Sequence, residues 1–108
     1  MWKILVFETP RGEKPVEEFI KSLDEETTAK IVHSIDLLEK HGPFLGMPHT
    51  RRLTRNVSEI RIRGKTEIRI LYSVANREIL LLHAFKKQTQ KTPAKEIDTA
   101  IRRLESVK

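Results

Sequence analysis

The hydrophobic positions near the start of the chain predict one strand followed by two helices. Residues 2–8 form a short apolar run that is typical of a buried strand, and residues 9–12 form a turn. Apolar side chains then recur every three or four residues, which is the spacing of one helix face. Pro15 suits the first turn of the first helix, because its missing N–H costs nothing there. The apolar stripe of this helix is Val16, Phe19, Ile20 and Leu23.

The second helix has clear start and stop signals in the sequence. Asp24 is its predicted N-cap, and two glutamates follow in the first turn, where the helix dipole favours negative charge. Residues 40–43 mark its end with two basic residues, a glycine and a proline. A loop is expected from Gly42 to Thr50. The predicted buried face of this helix is Ile31, Val32, Ile35 and Leu38.

From residue 58 onward the apolar positions alternate with a period of two, which is typical of strands. Isoleucines alternate with charged side chains in residues 58–63, and the alternation returns in residues 67–74. Turns at 64–65 and 75–77 separate these segments from a third, more apolar one at 78–85. Together the three segments predict an antiparallel meander.

A last helix closes the chain, and the order of elements gives the fold class. Thr92 is its predicted N-cap, with Pro93 at the first helical position. Its apolar stripe is Ile97, Ala100, Ile101, Leu104 and Val107. The sequence therefore predicts one domain over residues 1–108 with the order β-α-α-β-β-β-α. This is an α+β fold in which a twisted, mainly antiparallel sheet carries its helices on one face.

The net charge of +6 is concentrated in the middle of the chain. Residues 51–91 contain 11 Lys and Arg against 3 Asp and Glu, whereas residues 1–50 contain 6 against 9. A polyanion is the natural partner for such a segment, because neutralising phosphates releases counterions. A solvated basic surface without a ligand is the alternative interpretation.

Strand alternation places three arginines on one side of the predicted sheet. If helices cover the isoleucine face, then Arg61, Arg63 and Arg69 project from the opposite face, on strands only ~4.8 Å apart. A cluster of unpaired guanidinium groups needs an anionic partner. The alternative is that Glu59 and Glu67, on the same face, neutralise the arginines.

Three segments carry a resemblance to a known family. They are residues 58–61 (SEIR), residues 67–72 (EIRILY) and the distinctive stretch at 83–93 (HAFKKQTQKTP), which is followed by Glu96 and Ile97. With the order of elements, over nearly the whole chain, they resemble the RelE/ParE superfamily of bacterial toxins and most closely its HigB-like branch, which includes phage-derived members. The resemblance implies the RelE-like fold.

The same resemblance implies a function and its partners. It implies the toxin of a type II toxin–antitoxin system, a metal-independent endonuclease that enters the ribosomal A site, cleaves mRNA and inhibits translation. The implied partners are a cognate antitoxin of the helix-turn-helix kind and the ribosome with its mRNA. The ParE branch inhibits DNA gyrase with the same fold, so a non-nuclease gyrase binder, or an inactive relic that binds only its antitoxin, is the second hypothesis.

Residue roles follow from the resemblance as well. It implies a catalytic set that contains Arg61, Arg69 at the scissile phosphate, His83 and Lys87. The RNA-binding residues expected beside them are Arg63, Lys65, Lys86, Lys91, His49 and Arg51. The sequence departs from the RelE pattern in one respect, because its last third has no tyrosine. The single tyrosine, Tyr72, falls on the predicted core face.

The chemistry of the implied reaction favours histidine as the proton carrier. Metal-independent cleavage uses the RNA 2′-OH as nucleophile and needs a base, an acid and cations around the phosphate. Arginine binds phosphate well but is a poor acid or base near neutral pH, where histidine serves. Alternation puts His83 on one face with Leu81 and Phe85, which is either the cleft or the core. His49 lies in a loop and is the second candidate, while His33 and His41 are interpreted as structural.

Several other kinds of site are not expected. Adjacent glutamates on the helices point apart, and no Gly-rich phosphate loop or Ser-His-Asp set occurs, so we expect neither metal nor cofactor. The chain has no cysteine, which excludes disulfides and suits a cytoplasmic protein. No apolar run approaches the ~20 residues of a membrane span, so no membrane partner is expected.

Overall fold

The computed structural model describes residues 1–46 and 48–108, and within them it contains five strands and three α-helices. The strands are β1 (Lys3–Val6), β2 (Thr50–Arg52), β3 (Ser58–Ile62), β4 (Ile68–Ala75) and β5 (Glu78–Lys86). The helices are α1 (Pro15–Lys21), α2 (Glu25–His41) and α3 (Ala94–Ser106), with a 3-10 turn at Gly42–Phe44 after α2. None of the described helices is both long and apolar enough to cross a bilayer.

One sheet organises the molecule, with the strand order β1-β5-β4-β3-β2. β1 runs parallel to β5, and all the other neighbouring pairs are antiparallel. The predicted α+β class and the meander of β3, β4 and β5 are therefore confirmed. β2 is an addition, because the sequence predicted only a loop before β3. It is three residues long and pairs with β3 at the sheet edge.

The helices lie on both faces of the sheet, which corrects the expectation that they share one face. α1 and α2 pack on the face that carries Ile60, Ile68 and Ile70. α3 packs on the opposite face, where Ala100 contacts a cluster that includes Leu71 and Leu82. β4 and β5 are apolar on both sides here, and a sheet that is apolar on both faces needs cover on both.

Two positions predicted to be buried are half exposed. Val32 on α2 is 51% exposed, because the buried side of this helix is centred on Ile31 and Leu38, seven residues apart. Val107 is 50% exposed, since it lies just beyond the last residue of α3. Ile31, Ile35 and Leu38 of α2 pack in the cluster on one face of the sheet, as the helical period predicts. Ala100, Ile101 and Leu104 of α3 pack in the cluster on the other face.

A bulge in β5 changes the side of the sheet on which His83 lies. Leu71 of β4 is opposite His83, whereas the next residue, Tyr72, is opposite Leu81, so Leu82 is an extra residue in β5. Leu81 consequently stays on the α1–α2 face, while His83 joins Phe85 on the α3 face. The prediction that His83 and Leu81 share a face is wrong for this reason.

The start of α2 is capped as the sequence predicts. The Asp24 carboxylate accepts hydrogen bonds from the Thr27 hydroxyl at 2.7 Å and from the Thr27 N–H at 3.2 Å. The hydroxyl contact is the main cause that lowers the pKa of Asp24 to about 2, and Lys65 Nζ, 3.2 Å from this carboxylate, adds to it. The predicted cap of α3 is wrong, because Pro93 holds the N-cap position and the Thr92 hydroxyl is used elsewhere.

Gly42 allows the end of α2 to approach the N-terminal segment closely. Its φ is +55°, in the left-handed region, and a Cβ added to it would lie 2.5 Å from the Trp2 indole Nε1. The backbone N–H of Trp2 donates to the Glu39 carbonyl at 2.9 Å, which holds this residue beside the end of α2. This contact joins α2 to the strand that opens the chain.

We expect Gly42→Ala to lower the free energy of unfolding by roughly 2–5 kcal/mol, because a left-handed conformation and a clash with the indole act together. Urea denaturation followed by circular dichroism measures the change. Gly46→Ala is the matched control, since Gly46 also has a positive φ, but a Cβ there meets no described atom within 4 Å. Equal losses in the two variants would contradict the clash with Trp2.

Candidate cation network and edge cleft

A buried carboxylate, that of Glu59, lies at the centre of a group of charged side chains on the face of the sheet that carries α3. The Glu59 side chain is 0% exposed and accepts hydrogen bonds from Arg61 Nε at 3.1 Å and from the Thr92 hydroxyl at 2.6 Å. Arg69 Nη1 lies 4.0 Å from the same carboxylate. A buried charge is costly unless it is paired and hydrogen-bonded, and these three neighbours meet that requirement.

Arg69 is a buried structural link rather than an open cation. It is 1% exposed, and all three guanidinium nitrogens have partners within the described chain. Nε donates to Glu67 at 3.2 Å, Nη1 to the Thr92 hydroxyl at 3.2 Å, and Nη2 to the Gln90 carbonyl at 3.0 Å. The side chain therefore fastens the segment before α3 onto β4.

The expected open cluster of Arg61, Arg63 and Arg69 is not present. Arg69 is buried, Arg61 is paired with Glu59, and Arg63 is exposed just beyond the end of β3. Arg61 and Arg69 are directly opposite each other on β3 and β4, where like charges repel. A glutamate two residues before each arginine lies on the same face and neutralises it, as the alternative interpretation expected.

Two cations remain accessible at the ends of this arrangement. Arg61 donates only its Nε–H to Glu59, and its Nη1 and Nη2 have no partner among residues 1–46 and 48–108. Its side chain is 17% exposed. Lys87 is 23% exposed, with Nζ at a loose 3.8 Å from Glu67. We call Glu59, Arg61, Glu67, Arg69 and Lys87 the cation network; its three cations and two carboxylates leave one net positive charge.

A cleft of about 420 Å³ lies where the edge of β3 faces α2. β2 pairs with β3 only as far as Ile60, and the next residue, Arg61, donates its N–H to the His49 carbonyl at 2.8 Å. The basic lining of this edge cleft is Lys30, His33, His49, Arg61 and Arg63. Its apolar lining includes Ala29, Leu37, Pro48 and Ile62. Arg61 thus belongs to both the cation network and the edge cleft.

The structure does not bring His83 together with Arg61. His83 lies on β5 and Arg61 on β3, with β4 between them. The His83 Nε2 is 2.7 Å from a Glu96 carboxylate oxygen on α3, and the ring stacks on Phe85 at a centroid distance of 5.5 Å. Its Nδ1 is 3.4 Å from Arg103 Nη1, and burial lowers the pKa of Arg103. His83 therefore lies between the sheet and α3, partly exposed, and belongs neither to an open cleft nor to the fully buried core.

The other predicted RNA-binding residues divide between two sides of the molecule. Arg51 lies on β2 opposite Glu59, and Arg51 and Lys91 are both exposed. Lys86 pairs with Ile68, which places it on the α1–α2 face, and Lys65 contacts Asp24 at the start of α2. Arg51 therefore lies beside the cation network, because it is opposite Glu59 in the sheet. Lys65 and Lys86 lie on the side of the molecule that carries α1 and α2.

Some residues of these sites were not predicted from the sequence. Thr92 and Glu59 meet across 33 positions of the chain, which no local pattern reveals. The sequence favours a structural role for His33, and no pattern in α2 marks Lys30 as a binding residue. The pattern Glu-Ile-Arg, which occurs at 59–61 and again at 67–69, is the signal for the two ion pairs.

Comparisons with known proteins agree with the fold. A family profile described as phage derived protein Gp49-like matches residues 18–105. A candidate toxin, HigB3 of Mycobacterium tuberculosis (strain ATCC 25618 / H37Rv), is 38% identical over 73 residues, which are 62% of this chain and 63% of that protein. Two structures of the YoeB–YefM toxin–antitoxin complex from Staphylococcus aureus are similar to this chain with TM-scores of 0.55 and 0.56. Their identities are 17% and 16%, and each match covers 82% of this chain and 99% of the other.

Proposed function

The chain belongs to the phage-derived Gp49-like family, and from that premise we propose that it is the toxin of a type II toxin–antitoxin pair. The name of the HigB3 relative supports this proposal, as does the toxin–antitoxin complex in which the similar fold occurs. Its partners are then a cognate antitoxin, which we propose to be a helix-turn-helix protein, and the ribosome.

The proposed activity is metal-independent cleavage of mRNA in the ribosomal A site, which inhibits translation. The observation that supports it best is the state of Arg61. Glu59 fixes the Nε end of this guanidinium, while Nη1 and Nη2 have no partner in the described chain. A guanidinium group that is held in one orientation, with Nη1 and Nη2 available to donate, is suited to bind phosphate oxygens. It needs no reorganisation when negative charge develops on the phosphate in the transition state.

The proposed reaction uses the RNA as its own nucleophile. The 2′-oxygen attacks the adjacent phosphorus, the bond from phosphorus to the 5′-oxygen breaks, and a 2′,3′-cyclic phosphate and a 5′-hydroxyl form. Arg61 stabilises the charge on the phosphorane. His49, whose carbonyl binds the Arg61 N–H, takes the proton from the 2′-OH in this scheme, and Lys87 supplies one to the leaving oxygen.

Other residues have supporting roles in this scheme. Arg69 is assigned as a positioning residue, because its burial leaves no nitrogen for the scissile phosphate. Arg51, Arg63 and Lys91 are exposed and are the proposed contacts to flanking phosphates. His83, bonded to Glu96, is assigned to holding α3 in place rather than to proton transfer.

The test is to induce the chain in growing bacteria and map the 5′ ends of transcripts. We expect growth to stop and translated messages to break at positions that depend on the reading frame, each with a 5′-hydroxyl end. A message whose start codon has been removed is the control, and it should remain whole. Cleavage of both messages alike would contradict the dependence on the ribosome.

A non-enzymatic toxin of the gyrase-binding kind is the second candidate, and one observation favours it. Arg61, which is partly exposed, is neutralised by Glu59, and a surface that docks a protein would also tolerate such a pair. Growth arrest with DNA damage and intact messages would establish this alternative. Intact messages without any arrest would indicate a relic that binds only its antitoxin.

A further inference from the structure

We propose that the edge cleft binds one unstacked nucleotide of single-stranded RNA, next to the phosphate held by Arg61. The inference rests on the proposed nuclease function and adds a subsite to it. It gives two residues of α2, Lys30 and His33, a role in substrate binding. The substrate strand would then pass from the α3 face, around the end of β3, to the side of α2.

The shape and lining of the cleft fit a nucleotide. Its volume of about 420 Å³ lies within the range of roughly 300–1,000 Å³ that small-molecule sites occupy. Leu37, Pro48 and Ile62 give it an apolar surface against which a base can lie. His33 and His49 line the same space, and histidine is among the residues on which unstacked RNA bases stack.

The charge around the cleft fits a phosphate. Among residues 1–46 and 48–108, three cationic residues line it, Lys30, Arg61 and Arg63, and no Asp or Glu does. Glu26 lies 3.9 Å from Lys30 Nζ, and both side chains of this pair are largely exposed, so the pair is weak. A cleft lined by one sign of charge concentrates counter-ions of the other sign.

The position of Arg61 connects the cleft to the reaction. Arg61 lines the cleft and also has the open fork of the cation network. A nucleotide with its base in the cleft therefore has its own phosphate within the same group of cations. The nucleotide beside the cut would be held by contacts to its base and not by phosphate contacts alone.

The experiment measures binding separately from cleavage. A fluorescein-labelled RNA hexamer with 2′-O-methyl riboses, which removes the nucleophile, is titrated with the purified chain, and fluorescence anisotropy gives the affinity. We expect Lys30→Ala and His33→Ala each to weaken binding about three- to tenfold. Lys30→Ala should also reduce the slope of log affinity against log salt by about 0.7, the value for one phosphate contact on a single strand.

Lys40→Ala is the matched control, because Lys40 is an exposed lysine on the same helix that does not line the edge cleft. It should bind the hexamer within twofold of the unmodified chain. Wild-type affinity in both Lys30→Ala and His33→Ala would overturn the subsite, even if messages are still cleaved in cells. Weakened binding in those variants, with messages that stay whole, would retain an RNA subsite and reject the nuclease function.

Discussion

Replacing Arg69 with alanine is expected to lower the free energy of unfolding by about 3–5 kcal/mol, because the buried Glu59 carboxylate loses a cationic neighbour and the partly buried Glu67 loses its closer ion-pair partner. Glu59 is fully buried, and the Arg69 fork also holds the Gln90 carbonyl and the Thr92 hydroxyl. Domains of this size are stable by only about 5–15 kcal/mol, so a large part of the chain's stability depends on this side chain. Urea denaturation of the purified variant measures the loss.

Arg63→Ala is the control for this prediction, since Arg63 is an exposed arginine just after β3 and should change stability by no more than about 0.5 kcal/mol. A loss below about 1 kcal/mol in Arg69→Ala would contradict the structural role assigned to the network. The prediction also changes how a toxicity assay is interpreted. Loss of growth arrest in an Arg69→Ala variant is expected from its lower stability alone, so its inactivity does not identify a catalytic group.

The second large effect is expected at Arg61. Arg61→Lys keeps a positive charge near Glu59 but lacks the second and third nitrogens of the guanidinium. We expect the rate of single-turnover mRNA cleavage on programmed ribosomes to fall about 10²- to 10³-fold, the usual cost of losing one preorganised donor to a developing oxyanion. Denaturation curves measured in parallel should show a change in stability of no more than about 1 kcal/mol.

Arg102→Lys provides the matched control, because Arg102 is an exposed arginine on α3, distant in sequence from the cation network, whose guanidinium donates a hydrogen bond to Thr99. Its cleavage rate should stay within twofold of the unmodified chain. If Arg61→Lys cleaved as fast as this control, the open fork of Arg61 would not be the phosphate-binding group, and the proposed reaction would need a different cation.

Much of the fold was accessible from the hydrophobic pattern. Asp24 caps α2, and the basic residues before Gly42 end it, as predicted, because these signals act over one helical turn. The change of period at residue 58 predicted the meander correctly. The family resemblance found in residues 58–61, 67–72 and 83–93 is confirmed by the matching family profile.

The features that were missed depend on contacts between distant segments. Leu80, Leu81 and Leu82 are all apolar, so alternation gave no sign of the bulge that puts His83 on the α3 face. The same ambiguity hid the need for a helix on each side of the sheet. A pattern of period two specifies faces only while the strand has no extra residue.

For the candidate site, the sequence identified which residues carry charge but not which of them are free. Arg61 and Arg69 follow the same Glu-Ile-Arg pattern, yet one is open and the other is fully enclosed. The difference arises from the segment before α3, whose Thr92 and Gln90 close over Arg69 only. Such closure is a property of the tertiary structure, so it had no local signature.

β2 also has a consequence for how copies of the chain behave towards one another. An outermost strand offers unused backbone donors and acceptors, and long, flat, apolar examples recruit identical strands into fibres. β2 is only three residues long, and two of these are the exposed arginines 51 and 52. A second copy docking there in the antiparallel sense would bring guanidinium against guanidinium. We therefore expect this border of the sheet to resist polymerisation at high concentration.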